Sequence, residues 1–125
     1  MASFARETQL TTVDAWVLVD DLVDATGLAH EKVNGTIKAV AITAAADGSA
    51  LGAATGLLRL TIQGRGTEYL PFALVGGTLI TTGIAPGTQI MYEGLDWSAA
   101  GEVKLEAAMV GADVGTAIVT VSVFY

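Results

Sequence analysis

Cysteine is absent from this chain, so neither disulfides nor thiolate metal sites are open to it. Histidine occurs once, at His30, and a lone histidine does not build a typical zinc site. None of Ser3, Ser49, Ser98 and Ser122 stands in a GxSxG or comparable nucleophile context, so the spacing spells no hydrolytic triad. Basic side chains are few and scattered: Arg6, Lys32, Lys38, Arg59, Arg65 and Lys104. They form no patch that would neutralise phosphates, and direct nucleic-acid binding is not expected. A long hydrophobic run is missing too. The longest charge-free stretch, Tyr69 to Tyr92, is cut by Pro71, Gly76, Gly77, Gly83, Pro86 and Gly87. It cannot be a continuous spanning helix, which needs about 20 apolar residues. The opening MASFARETQLTTVDAW is broken by Arg6, Glu7 and Asp14 and lacks an apolar core of signal-peptide length, so export is not expected. Aromatics make up 6% of the chain, too few for the two interfacial girdles of an outer-membrane barrel.

Apolar residues and glycine are plentiful. In 125 residues, 52% are apolar and only 15% charged, and 13 acidic against 6 basic side chains leave a formal charge of −7. One domain of this size buries about two-thirds of its unfolded surface. So little charge leaves a lone soluble molecule short of polar exterior, which points to surface covered by partners. No internal repeat or low-complexity linker divides the chain.

The 15 glycines fall mostly between short β-rich runs, the pattern of an all-β sandwich or barrel. The runs are Thr11–Asp20, Gly35–Ala44, Leu57–Gln63, Glu68–Val75, Thr78–Thr82, Thr88–Glu93, Glu102–Val110 and Thr116–Tyr125. In the first, Val13, Ala15, Val17 and Val19 share a face, and Trp16 reads as core or interface. In the second, Ile37, Ala39 and Ala41 oppose Lys38, Val40 and Ile42. In the seventh, Val103, Leu105, Ala107 and Met109 alternate with Lys104, Glu106 and Ala108. The expected architecture is an antiparallel β-sandwich of about eight strands, jelly-roll-like. At most a short helix interrupts it, near 21–32, capped by Asp20 or Asp21 and ended by Gly27. Turns are expected at Asn34-Gly35, Ala46-Asp47-Gly48, Gly64-Arg65-Gly66, Pro86-Gly87 and Gly111–Gly115.

Three clusters invite a chemical reading. Asp20, Asp21 and Asp24, with Glu31 nearby, carry the hard oxygen ligands that Ca²⁺ takes. Without a D-x-D-x-D-G loop they read as caps or a solvated loop, and this is where a cation would be sought. Gly64-Arg65-Gly66 resembles half a phosphate loop, but Tyr69 stands where a third glycine is needed and a β-rich run follows. Glu93, Asp96, Glu102 and Glu106 surround Trp97, a grouping compatible with sugar stacking or glycosidase chemistry. The plainer reading makes Trp97 a loop anchor or a subunit contact. No catalytic, cofactor or metal residue is therefore expected, and the chain reads as non-enzymatic.

A small, acidic, cysteine-free all-β chain rich in Gly, Ala, Thr and Val, opening on MASFARETQL and closing on a strand, resembles a known family in style. It is similar to bacteriophage capsid decoration (cement) proteins and small single-sandwich capsid proteins. The resemblance implies a virion structural protein made in the host cytoplasm, a homo-oligomer with the trimer favoured, and other capsid proteins as partners. It also implies an N-terminal arm or a sandwich edge that bridges neighbours. Residues 1–10 are thus expected as a mobile arm and 11–125 as a single sandwich domain. The expected partner contacts are Phe4 and Arg6 on the arm, the loop aromatics Tyr92 and Trp97, and Phe124 and Tyr125 on the last strand. A carbohydrate-binding sandwich module stacking sugars on Trp97 and Tyr92 is the alternative, with no membrane and no cofactor in either case.

Overall fold

Alternating side chains, buried then more exposed, run through Ser3–Leu10, Thr55–Ile62 and Ala117–Phe124 in the computed structural model. It describes residues 3–19, 21–22, 32–46, 55–73, 79–80, 83–84, 88–110 and 116–125. The protein is all-β, with two antiparallel sheets packed as a sandwich. In chain order the strands are β1 (Ser3–Leu10), β2 (Val17–Leu18), β3 (Asp21–Leu22), β4 (Lys32–Ile37), β5 (Ala39–Ala46) and β6 (Thr55–Ile62). They continue as β7 (Gly66–Ala73), β8 (Leu79–Ile80), β9 (Gly83–Ile84), β10 (Thr88–Tyr92), β11 (Trp97–Val110) and β12 (Ala117–Phe124). The first sheet has the order β10-β5-β12-β1-β3, and the second β2-β11-β6-β7, with β4 also on β11. β8 and β9 make a separate two-stranded pair. Among the described residues no helix is long and apolar enough to cross a membrane.

The two inner faces meet in one core. β12 contributes Val119, Val121 and Val123, β5 contributes Val40 and Ile42, and the second sheet answers with Leu58, Leu60, Leu105 and Met109. Each such side chain, fully buried, is worth about 1.5–3 kcal/mol of hydrophobic stabilisation. Tyr92 ties the edges of the two sheets together by donating its hydroxyl proton to the Pro71 carbonyl.

Four expectations change. The segment expected as a mobile arm is, over Ser3–Leu10, a full strand paired residue by residue with β12 from Ser3↔Phe124 to Leu10↔Ala117. Phe4, Arg6, Thr8 and Leu10 alternate inward and are all buried, so the register is set by burial of one face. The run Thr11–Asp20 holds only the short β2 and an isolated bridge from Val13 to Met109. Asp14 breaks it by adopting φ 58, a left-handed conformation Asp tolerates, while its amide bonds the Met109 carbonyl at 2.7 Å. There the chain leaves the first sheet for the second.

The run Gly35–Ala44 is likewise two strands in different sheets, β4 on β11 and β5 between β10 and β12. The inward phase slips at Lys38: Val33 and Ile37 precede it on odd positions, Val40, Ile42 and Ala44 follow on even ones. Ile37 and Val40 are therefore both buried, which a single flat strand forbids. The expected Asn34-Gly35 turn lies inside β4, with Gly35 opposite Ala99. The Gly64-Arg65-Gly66 turn is present. Arg65 N–H reaches the Ile62 carbonyl at 3.0 Å and Gly64 takes φ 90, the positive value a type II turn requires at that place. Residues 23–31, with His30 and most of the expected helix, lie outside the described residues, as do the turns expected at 47–48, 86–87 and 111–115.

Candidate functional site

With its inner faces used for the core, the sandwich offers its two outer faces to other molecules. On the first sheet, the register turns Ala5, Glu7, Ala39, Ala41, Thr43, Ile118, Thr120, Ser122 and Phe124 to the outer side, where Ala41 is nonetheless covered at 5% exposure. Across β1, β12, β5 and β10 the one ionisable residue on this face is Glu7, which accepts a 3.4 Å hydrogen bond from the Thr120 hydroxyl. This four-strand face is made mostly of Ala, Thr, Ser and Ile and is nearly uncharged.

This face ends in a pocket of about 550 Å³ lined by Lys38, Ala39, Met91, Glu93, Gly94, Leu95 and Phe124. Backbone hydrogen bonds build it. Lys38 N–H binds the Phe124 carbonyl at 2.8 Å, and Leu95 N–H binds the Lys38 carbonyl at 3.0 Å. The crossing at Lys38 and the loop from β10 to β11 are thereby pinned to the end of β12. Gly94, at φ 71, turns that loop. The walls are apolar, and Lys38 and Glu93 supply one charge of each sign.

The outer face of the second sheet has a different character. Leu18, Glu106, Arg59 and Tyr69 stand in a row across β2, β11, β6 and β7 by register. Trp16 lies one residue before Val17, which pairs with Ala107, and so falls beside Ala108. Ala108 is only 2% exposed although it points outward. At the neighbouring register position the Trp16 ring has the Arg59 guanidinium carbon 4.1 Å from its centroid and the Tyr69 ring 6.3 Å away. Arg59 grips Glu106 with two bonds, Nε to Oε1 at 3.1 Å and Nη2 to Oε2 at 3.0 Å, and Lys104 approaches at 3.8 Å. The bond to Glu106 raises Arg59 above the ordinary guanidinium pKa. Arg59 is therefore charged throughout the range in which proteins work. Trp16 is 38% exposed, Leu18 41% and Tyr69 51%, so the row stands out as an apolar ridge with an arginine inside it.

The residues expected to make partner contacts are distributed unevenly over these surfaces. Phe4 and Arg6 are not on a free arm but buried in the chain's own sandwich, the Arg6 guanidinium 5.2 Å from the Phe4 ring. Alternation along β1 turns both inward, and that removes them from the outer surface. Tyr125 packs on Phe4 with ring centroids 6.2 Å apart. Tyr92 and Trp97 are partly buried against the core, and Arg65 stands 5.7 Å from the Trp97 ring. Phe124 faces outward and walls the pocket. Asp20 and Asp24 lie outside the described residues, and among the described residues no group of three or more His, Cys, Asp or Glu could hold a metal. Sequence reasoning missed Tyr69 and Arg59. The signal was the alternation of Leu57–Gln63 and Glu68–Val75, which sets Arg59 and Tyr69 opposite the buried Leu58 and Leu70.

No protein-family model, curated protein or solved structure matches the chain.

Proposed function

We propose that this chain is a non-enzymatic structural protein of a bacteriophage particle, forming or decorating the capsid. It acts by packing against copies of itself, with the trimer favoured, and against other capsid proteins. The observation that carries this reading is the outer face of the first sheet: on four of its five strands, β10, β5, β12 and β1, Glu7 is the one ionisable residue whose register turns it outward, and the fifth strand sets Asp21 opposite it. Surfaces that wide and that poor in charge mark contact sites in soluble proteins. Chain composition supports the same reading, since only 15% of the residues are charged, little for the exterior of a lone soluble domain. The favoured contacts are Phe124 and the small side chains around it, with Tyr92, Trp97 and Tyr125 bracing the face from within.

Size-exclusion chromatography with light scattering tests the reading, and negative-stain images of the purified protein extend it. Discrete oligomers, rings, tubes or shells are the expected result. A protein that stays monomeric up to high micromolar concentration overturns it.

A further inference from the structure

Every inward side chain of β12 is hydrocarbon: Ala117, Val119, Val121 and Val123. Its neighbour β1 is different. Two of its four inward side chains, Arg6 and Thr8, are polar, and they are the two buried polar residues among the described ones. Arg6 donates a hydrogen bond to the Ala5 carbonyl at 3.1 Å, yet a guanidinium and a hydroxyl taken from water return less than methyl groups do. β1 thus gains less from burial than the strand it pairs with. We propose that β1 is exchanged between copies. Ser3–Leu10 of one molecule fills the place beside β12 of another, in the register from Ser3↔Phe124 to Leu10↔Ala117. This rests on the self-assembly reading above and names how the copies hold one another.

Fit decides the occupant. The slot between β12 and β3 takes this strand residue by residue, and a second copy carries the identical strand. Left open, the slot would bare the β12 edge and the apolar side chains behind it, which favours a filled slot. Ladder and core contacts are the same whether the strand comes from its own chain or from a neighbour. The choice therefore falls to the hinge and to concentration.

The hinge is the segment from Thr11 to Trp16, in which Thr11, Thr12, Asp14 and Trp16 are exposed. It crosses between the sheets through Asp14, whose φ of 58 puts an L-residue in the left-handed region. The Val13–Met109 bridge and the 2.7 Å bond from the Asp14 amide to the Met109 carbonyl tie it down. Extended, these six residues reach about 20 Å, enough to carry β1 onto a touching neighbour. Asp14 then returns to an ordinary conformation. On the other side of β1 the ladder to β3 holds two residue pairs, Arg6↔Leu22 and Glu7↔Asp21, so release breaks little there. Reciprocal exchange closes a dimer and cyclic exchange a trimer, with no strand left over.

A chain without cysteine allows a direct test. Ala5 and Ser122 stand opposite each other on the outer side of β1 and β12, so Ala5→Cys with Ser122→Cys sets one thiol on each strand. After refolding at high micromolar concentration and oxidation, the isolated oligomers are expected to run as chains linked in twos or threes on denaturing gels without reductant. Either substitution alone is expected to leave the chains unlinked. Oligomers of the double variant that run as single chains, bridged within themselves, overturn the exchange and leave self-assembly standing. A single variant that links as readily as the pair marks contact between outer faces and overturns it too. A monomeric wild type removes both readings. The hinge gives a second readout by sedimentation velocity. Asp14→Gly eases the closed turn and is expected to weaken association, whereas Asp14→Val resists that turn and is expected to tighten it. The two dissociation constants should differ by roughly tenfold or more. Circular dichroism checks that each variant folds, and if Asp14→Val does not, Asp14→Gly against the wild type decides. Association unchanged by the hinge overturns the proposal.

Discussion

At Gly56 a side chain has no place to go. The residue faces inward on β6 opposite Phe72, and a Cβ built there runs into the Phe72 ring. The glycine is therefore a matter of packing, since a large aromatic on one strand needs a missing side chain on the next. Gly56→Ala is expected to lower stability by about 1–3 kcal/mol, the cost of overpacking a filled core, as measured by urea unfolding. A neutral substitution would show that Phe72 has another rotamer open to it. Gly101 is constrained twice over. It holds φ 142, and the space beside it is filled by the Gln63 side chain, whose Oε1 accepts the Glu102 amide at 3.0 Å. Gly101→Ala should cost roughly 1–3 kcal/mol from backbone strain and collision together. In the double variant with Gln63→Ala the collision disappears and the strain remains, so only part of the loss should return. Full recovery would mean that the backbone conformation is not strained for alanine.

Among the elements, β1 separates a structural strand from a loose arm most sharply. It pairs along its whole length with β12 and places Leu10 at 0% exposure. Deleting residues 1–10 should therefore abolish cooperative unfolding, and limited proteolysis of the intact chain should spare the Ser3–Leu10 peptide bonds. A truncated chain that melts like the full one would restore the arm. The opposite was expected because MASFARETQL reads as polar, and alternation is hidden when the inward positions include Arg6 and Thr8. Arg6 is 4% exposed, so burial here follows the pairing with β12 and not the chemistry of the side chain.

Taken whole, the molecule closes its first sheet by joining the two ends of the chain. β12 sits between β1 and β5, so the sheet is complete only once the last residues are present. Such non-local pairing places the chain among slowly folding topologies, with refolding expected in milliseconds to seconds by stopped-flow fluorescence of Trp16 and Trp97. Microsecond refolding would contradict the strand order. The uncharged outer face makes a separate demand. Thr120→Lys, at the middle of that face, should leave the melting temperature within a few degrees and reduce the oligomer detected by light scattering. Unchanged assembly would remove the first sheet from the interface.

Alternation, glycine spacing and the shortage of charge determined by themselves that the chain is all-β, built of short strands with one wet and one dry side. Those are local properties, because a strand's period of two is written in neighbouring residues. Which strands pair, and in which sheet, was decided only by the tertiary structure. Lys38 looks like the middle of one strand until Val40 and Ile37 are both seen inside, and Asp14 looks like part of another until its φ is known. The ridge and the pocket are of the same kind. Trp16, Arg59 and Tyr69 are far apart in sequence, and only the register of four strands brings their side chains to one surface, since partner choice depends on contacts across the chain and leaves no periodic trace in it.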